Sequence, residues 1–156
     1  MQTARCTIRK ASPAHAPGFA RLFAELLLET DMKNHEKCIR SFSHELKTCL
    51  KSKECSVYFA QDRQKKIIGY IVAHWIPFPF IMGHEGYVSN LIVLKTCRGE
   101  GIGTKLMTAA EKEAKKRGCC RLILNNPRKS ESYKRSFYKK HGFTERVNFA
   151  NFVKPL

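Results

Sequence analysis

Residues 95–106 read KTCRGEGIGTKL and stand between the apolar run YVSNLIVL (87–94) and a stretch whose Leu106, Met107, Ala110 and Ala114 share one helix face. Two phosphate-binding patterns place glycine at such a strand-to-helix junction, and both fail here on spacing. A dinucleotide fingerprint needs G-x-G-x-x-G, but counting from Gly99 puts Thr104 in the last position. A P-loop needs G-x-x-x-x-G-K-[ST], whereas Arg98 stands where its first glycine would be and Gly103 is followed by Thr104 and Lys105. What remains is Arg98-x-x-Gly101-x-Gly103. Gly101 and Gly103 let the backbone approach a ligand without a Cβ in the way, and the first N–H groups of the helix point outward with the positive end of its dipole. Such a turn cradles an anion, and with the Arg98 fork beside it a pyrophosphate is the natural guest.

Outward from this junction the chain reads as mixed α/β. ARCTIRKA (4–11) alternates polar and apolar residues around Cys6 and Ile8, as a half-buried strand does. Ser12-Pro13 is a cap and first-turn pair, and Phe19, Leu22, Phe23, Leu26 and Leu27 follow the spacing of an amphipathic helix. Phe42, Leu46, Cys49 and Leu50 predict a second helix capped by Ser41 or Ser43, with ETDMKNHEKC (29–38) as the loop between the two. SVYFAQ and KIIGYIVAHW predict a hairpin, which IPFPFIMGHEG links to the strand YVSNLIVL. Lys115, Lys116 and Arg117 followed by Gly118 end the helix after the glycine turn. RLIL is then a short strand, SESYKRSFYKKHG a short helix stopped by Gly142, and FTERVNFANFVKPL (143–156) one or two closing strands. The predicted order is β-α-α-β-β-β-α-β-α-β(β), an α+β arrangement with a mostly antiparallel sheet in one domain over 1–156, since a doubly wound fold would alternate strictly.

Composition narrows the setting. Apolar residues make up 43% and charged residues 27% of 156, ordinary for a soluble globular protein. The longest apolar run, WIPFPFIM (75–82), is too short to span a bilayer and holds two prolines, and no basic-then-apolar leader opens the chain. A cytoplasmic protein without membrane contact is expected. Seven cysteines, an odd number without a C-x-x-C pair, fit reduced thiols. His35, Cys38, His44, Cys49 and Cys55 crowd one region, but their spacings match no common zinc finger, so no metal is expected. The formal charge is +16, of which residues 95–140 alone carry +10, with fourteen Lys or Arg against four Glu. That excess is either a solvated basic face or a device for an anionic cofactor, an anionic substrate or RNA.

A second motif lies downstream. FYKKHGF (137–143) puts an aromatic-Tyr pair near the end of a helix and Gly-Phe after it. With both motifs in this order, the sequence resembles the GNAT superfamily of N-acetyltransferases over essentially its whole length, and most resembles small-molecule members such as the aminoalkylphosphonate acetyltransferases. The resemblance implies the GNAT fold and acetyl-CoA as co-substrate, with direct transfer of the acetyl group to an amine. It implies that Arg98, Gly99, Glu100, Gly101, Ile102, Gly103 and Thr104 grip the pyrophosphate of coenzyme A, and that the backbone of Leu91, Ile92 and Val93 lines its pantetheine arm. It also implies Tyr138 as general acid.

The pattern breaks at the base. Where many relatives carry a carboxylate just before the LIV segment, this chain has Ser89 and Asn90, and Glu131 stands where many have Asn. Glu85 is the nearest carboxylate and the first candidate base, with His84 beside it and solvent as the third option. The expected acceptor is a primary amine of a small molecule. A protein or peptide N-terminus is the alternative, and a catalytically weak domain that holds RNA or ribosomes through its basic surface is a third reading. A homodimer is compatible with all three.

Overall fold

The computed structural model describes residues 6–28 and 30–156, so the Ala4-Arg5 start of the first expected strand lies outside the described residues. In chain order the elements are β1 (Thr7–Lys10), α1 (Ala16–Leu27), α2 (His35–Lys51), β2 (Cys55–Gln61), β3 (Ile67–Phe78), β4 (Gly83–Val93), α3 (Ile102–Lys116), β5 (Cys119–Leu124), α4 (Glu131–Lys134) and α5 (Phe137–Lys140). The described chain divides into two compact units, the first ending at Leu124 and the second spanning Asn125–Leu156.

In the first unit the five strands lie in the order β1-β2-β3-β4-β5. Neighbours are antiparallel except β4 and β5, which run parallel and are joined through α3. β3 is buried from Ile67 to Ala73 because helices cover both faces of the sheet, which is why its sequence reads as a continuous apolar run and not as an alternation. On one face Phe19 of α1 meets the rings of Phe59 and Tyr70 edge-on at 5.7 and 5.6 Å, and Phe23 stacks on Phe42 of α2 at 4.1 Å. On the other, α3 buries Ile102, Leu106, Met107 and Ala110. Each fully buried Phe, Ile, Leu or Met side chain contributes about 1.5–3 kcal/mol of transfer free energy.

The α3 face also holds a charged cluster. Glu113 is buried and accepts from Arg117 Nε at 2.8 Å, Lys10 Nζ at 3.2 Å and the Tyr58 hydroxyl at 3.1 Å. Burial alone would raise its pKa, but these donors outweigh it and hold the carboxyl at about 2, below its ordinary 4.5. A depressed folded-state value means the stabilisation is complete above 4.5 and is lost as pH falls toward about 2. Glu113→Ala is therefore expected to destabilise the protein by about 2–3 kcal/mol at neutral pH, after allowance for the exposure of Lys10. Urea titrations at pH 7 and near pH 2 check this: the gap between variant and parent should shrink at the lower pH.

Four expectations are corrected. α2 begins at His35, capped by Asn34, whose Oδ1 accepts from Lys37 N at 3.2 Å, so the end of the expected loop is helix and Ser41 and Ser43 lie inside it. The first turn there is polar and solvent-facing, so apolar periodicity could not register it. The expected link at 76–86 is largely ladder, with Ile76 opposite Glu85, Pro77 opposite His84 and Phe78 opposite Gly83 around a short turn at Pro79–Ile81. The closing strands over 143–156 are not formed: Val147, Phe149, Phe152 and Val153 are exposed. A strand needs a ladder partner, and the second unit contains no strand among its described residues.

In the second unit the expected single helix is two short ones, separated at Ser136, whose φ of 56° is left-handed. α5 ends as predicted at Gly142, with Gly142 N bonded to Lys139 O and Phe143 N to Tyr138 O, both at 3.0 Å.

Candidate functional site

The end of β4 is shaped by a bulge. Val72 pairs with Asn90 and Ala73 with Val88, which leaves Ser89 as the extra residue. The ladder between β4 and β5 runs from His84 opposite Cys119 to Val88 opposite Leu124, and among the described residues it stops there. Leu91, Ile92 and Val93 are thus paired with Ile71, Tyr70 and Gly69 of β3 on one side, and the β5 ladder does not reach their other edge. All three are half-buried. Gly69 is required for this approach, since a Cβ there would stand 2.8 Å from Ile92 O.

From Val93 the chain makes a short 3-10 turn over Lys95–Cys97 and enters the glycine stretch. Arg98 Nε donates to Val93 O at 3.0 Å, which ties the guanidinium to the strand end. Gly99 and Gly101 have φ of +84° and +77°, the left-handed region, and a Cβ built on either meets nothing within 4 Å. Their backbone therefore borders open space. Gly101 is the N-cap of α3 and contributes no side-chain cap; its carbonyl accepts the first helical bond, from Lys105 N at 3.0 Å. The N–H groups of Ile102 and Gly103 precede any intrahelical acceptor and carry the positive end of the helix dipole. The buried Ile102 side chain fixes where the helix starts, while Glu100 and Thr104 are exposed beside it. Gly103 has an ordinary helical backbone, so what it contributes is the absence of a side chain.

The candidate base sits differently from the sequence expectation. Glu85 is buried, lies opposite Arg121 in the β4–β5 ladder and forms a short ion pair with it. His84 is exposed. At the bulge, Ser89 Oγ donates to Asn90 Oδ1 at 3.2 Å and meets Nε2 of His74 at 2.9 Å. Burial pushes the His74 pKa down, which favours the neutral ring. Sequence reasoning missed His74, because only strand register brings it to Ser89.

In the second unit Tyr138 is partly buried on α5, with the Phe137 and Phe143 rings edge-on at 5.1 and 5.9 Å. Burial raises its pKa and the nearby Arg135 charge lowers it, with burial the larger effect. Of the five His and Cys residues at 35–55, the structure gathers only Cys49 and Cys55 into a ligand cluster among the described residues, and joins them with His74. A cavity of about 510 Å3, lined by Cys49, Cys55 and Arg117 among others, lies at the far end of α3 from the glycine turn. The helix puts roughly 20 Å between the two places.

Comparison with known proteins identifies the family and the fold. The sequence profile of the Acetyltransferase (GNAT) family matches residues 20–143. The chain belongs to the GNAT acetyltransferase family. It is 38% identical over 71 residues to Acetyltransferase Atu2258 of Agrobacterium fabrum, a match covering 42% of this chain and 48% of that protein. The chain thus spans about half the length of this curated relative. Its fold is similar to ribosomal-protein-alanine N-acetyltransferase from Brucella melitensis (TM-score 0.72, 19% identity, 97% of this chain and 99% of that one). It is also similar to the aminoglycoside acetyltransferase meta-AAC0020 from an uncultured soil metagenomic sample, solved with sisomicin (TM-score 0.75, 20% identity, 97% and 96%). A "predicted acetyltransferase with acetyl-CoA" from Clostridium acetobutylicum shares the fold at TM-score 0.71 and 22% identity, covering 95% of this chain and 96% of that one. No helix among the described residues is long and apolar enough to cross a membrane.

Proposed function

We propose that this chain is an acetyl-CoA-dependent N-acetyltransferase that acts on a primary amine of a small molecule. The observation that carries the reading is the open turn: two left-handed glycines at an N-terminus without a side-chain cap, continuous with a strand end that the β5 ladder does not reach. These residues fit a diphosphate followed by an extended amide-bearing arm. Acetyl-CoA supplies the activated acetyl thioester. Arg98 and the N–H groups around Gly101 to Gly103 bind the diphosphate, and Thr104 and Glu100 flank it. The backbone edge of Leu91, Ile92 and Val93 orients the pantetheine amides as a neighbouring strand would. Tyr138 Oη holds the proton destined for the departing sulfur, and its raised pKa keeps the phenol protonated at neutral pH.

Removal of the amine proton is assigned to solvent and not to Glu85, whose carboxylate is committed to Arg121. Ser89 and Asn90 cannot accept a proton at neutral pH. Glu85→Gln is accordingly expected to leave the acidic limb of the pH–rate profile in place while lowering stability by about 1–2 kcal/mol, because it breaks a buried pair whose arginine is partly solvated. A displaced acidic limb would return Glu85 to the role of base.

Isothermal calorimetry with acetyl-CoA tests the reading without knowledge of the acceptor, and thiol release against an amine panel then identifies the class. The +16 charge favours acceptors bearing carboxylate or phosphonate over polycationic amines. Turnover of anionic small amines that weakens as salt rises is the expected result. Activity confined to peptides with free N-termini would move the assignment to protein substrates.

A further inference from the structure

We propose that Cys49, Cys55 and His74 form a zinc site, separate from the glycine turn, with a water completing the tetrahedron. Three elements deliver the ligands: Cys49 from the last turns of α2, Cys55 from the first position of β2, and His74 from β3. Cys55 and His74 are directly opposed in the β2–β3 ladder, so their side chains leave the same face of the sheet. α2 packs against β2 and brings Cys49 to that face. The three ligand atoms lie within 4.8 Å of one another. Zinc bonds of about 2.3 Å to sulfur and about 2.0 Å to nitrogen set tetrahedral ligand atoms roughly 3.5–3.8 Å apart, so the site needs to contract by about 1 Å.

The hydrogen bonds around His74 select the nitrogen for the metal. With the Ser89 hydroxyl proton directed to Asn90 Oδ1 at 3.2 Å, Ser89 Oγ accepts at 2.9 Å from His74 in the tautomer protonated on Nε2, which is the tautomer the zinc site requires. The lone pair is then on Nδ1. A metal-bound histidine that donates its other N–H to an oriented acceptor is the arrangement that fixes tautomer and ring plane at metal sites. Binding balances simply: one Zn2+ enters, the two thiols lose two protons to solvent, and the Zn(S)2 core is neutral.

The surroundings point to a soft metal. Cys49 and Cys55 line the cavity at the end of α3, which offers an entry path, and its other charged residues are Lys10, Lys53, Arg117 and Glu54. With one carboxylate against three cations, this wall does not suit Mg2+ or Ca2+, which take sets of oxygen ligands. Burial pushes the Cys55 thiol up to about 12 and the Arg117 charge only partly opposes it, so the metal itself has to displace the thiol proton.

The test uses the full chain under reducing conditions, with the metal itself as probe. After equilibration with zinc and removal of the excess, elemental analysis should find one zinc per chain. Co2+ in its place should give thiolate-to-cobalt charge-transfer absorption. Zinc should also shield Cys49 and Cys55 from alkylation, mapped by peptide mass spectrometry, while exposed Cys120 still reacts. Cys49→Ala and His74→Ala should each weaken zinc by about a hundredfold, and Ser89→Ala by about tenfold through loss of the partner that orients His74. The proposal is overturned if the folded parent protein takes up no stoichiometric zinc, if the Cys49→Ala/His74→Ala pair retains it, or if Cys49 and Cys55 are recovered as a disulfide. Should a variant fail to fold, the cobalt spectrum and alkylation map of the parent still decide.

Discussion

Gly101→Val is expected to leave a folded protein that binds acetyl-CoA roughly a hundredfold more weakly. The two halves of that statement have separate causes. Gly101 holds φ of +77°, where a β-branched residue is strained by about 1–3 kcal/mol, but its Cβ would meet nothing within 4 Å, so no packed neighbour has to move. A strain of that size is within the stability of an ordinary domain. The valine side chain would, however, fill the space in front of the first N–H groups of α3. Loss of two charge-assisted hydrogen bonds at about 1.5 kcal/mol each amounts to about two orders of magnitude in affinity. Gly118→Ala is the control: it has φ of +70° with equally open space around its Cβ, but lies at the opposite end of α3. Calorimetry and circular dichroism on both variants separate strain from ligand contact. If folded Gly101→Val binds acetyl-CoA as the parent does, the turn is not the diphosphate site.

Tyr138→Phe is expected to reduce kcat by about 10²–10⁴ with little change in acetyl-CoA affinity, the pattern of a lost proton donor. Phenylalanine keeps the edge-on contacts with Phe137 and Phe143, so the second unit should retain its local packing. In the parent protein the raised pKa keeps the donor protonated through neutral pH, so the alkaline limb of kcat should lie above the ordinary tyrosine value of 10.0. In the variant that limb should vanish. Unchanged turnover would make Tyr138 a packing residue of α5 and leave solvent as the acid.

Much of the scaffold was legible because apolar spacing reports burial directly. The β2–β3 hairpin, the core stripe of α1 and the ends of α3 follow from side-chain periodicity and from Gly118 at the helix end. The polar first turn of α2 left no such trace. Its cap is Asn34 in a left-handed conformation, a signal carried by backbone and one side chain. FTERVNFANFVKPL has strand-like composition, yet composition cannot supply a neighbouring ladder, and no strand forms there.

The candidate site divides along the same line. The sequence by itself determined the glycine turn proposed to hold the diphosphate, because its ingredients are consecutive: a strand, Arg98, glycines at the turn and a helix start. Family membership rests on the profile match over residues 20–143. Only the tertiary structure decided what depends on register and on packing between distant segments. It committed Glu85 to Arg121, placed Ser89 in a bulge against His74, and set Cys49, Cys55 and His74 within 4.8 Å across three elements. A one-residue shift in any of these strands would turn the side chains to the opposite face, and spacing along a single chain does not encode that alignment.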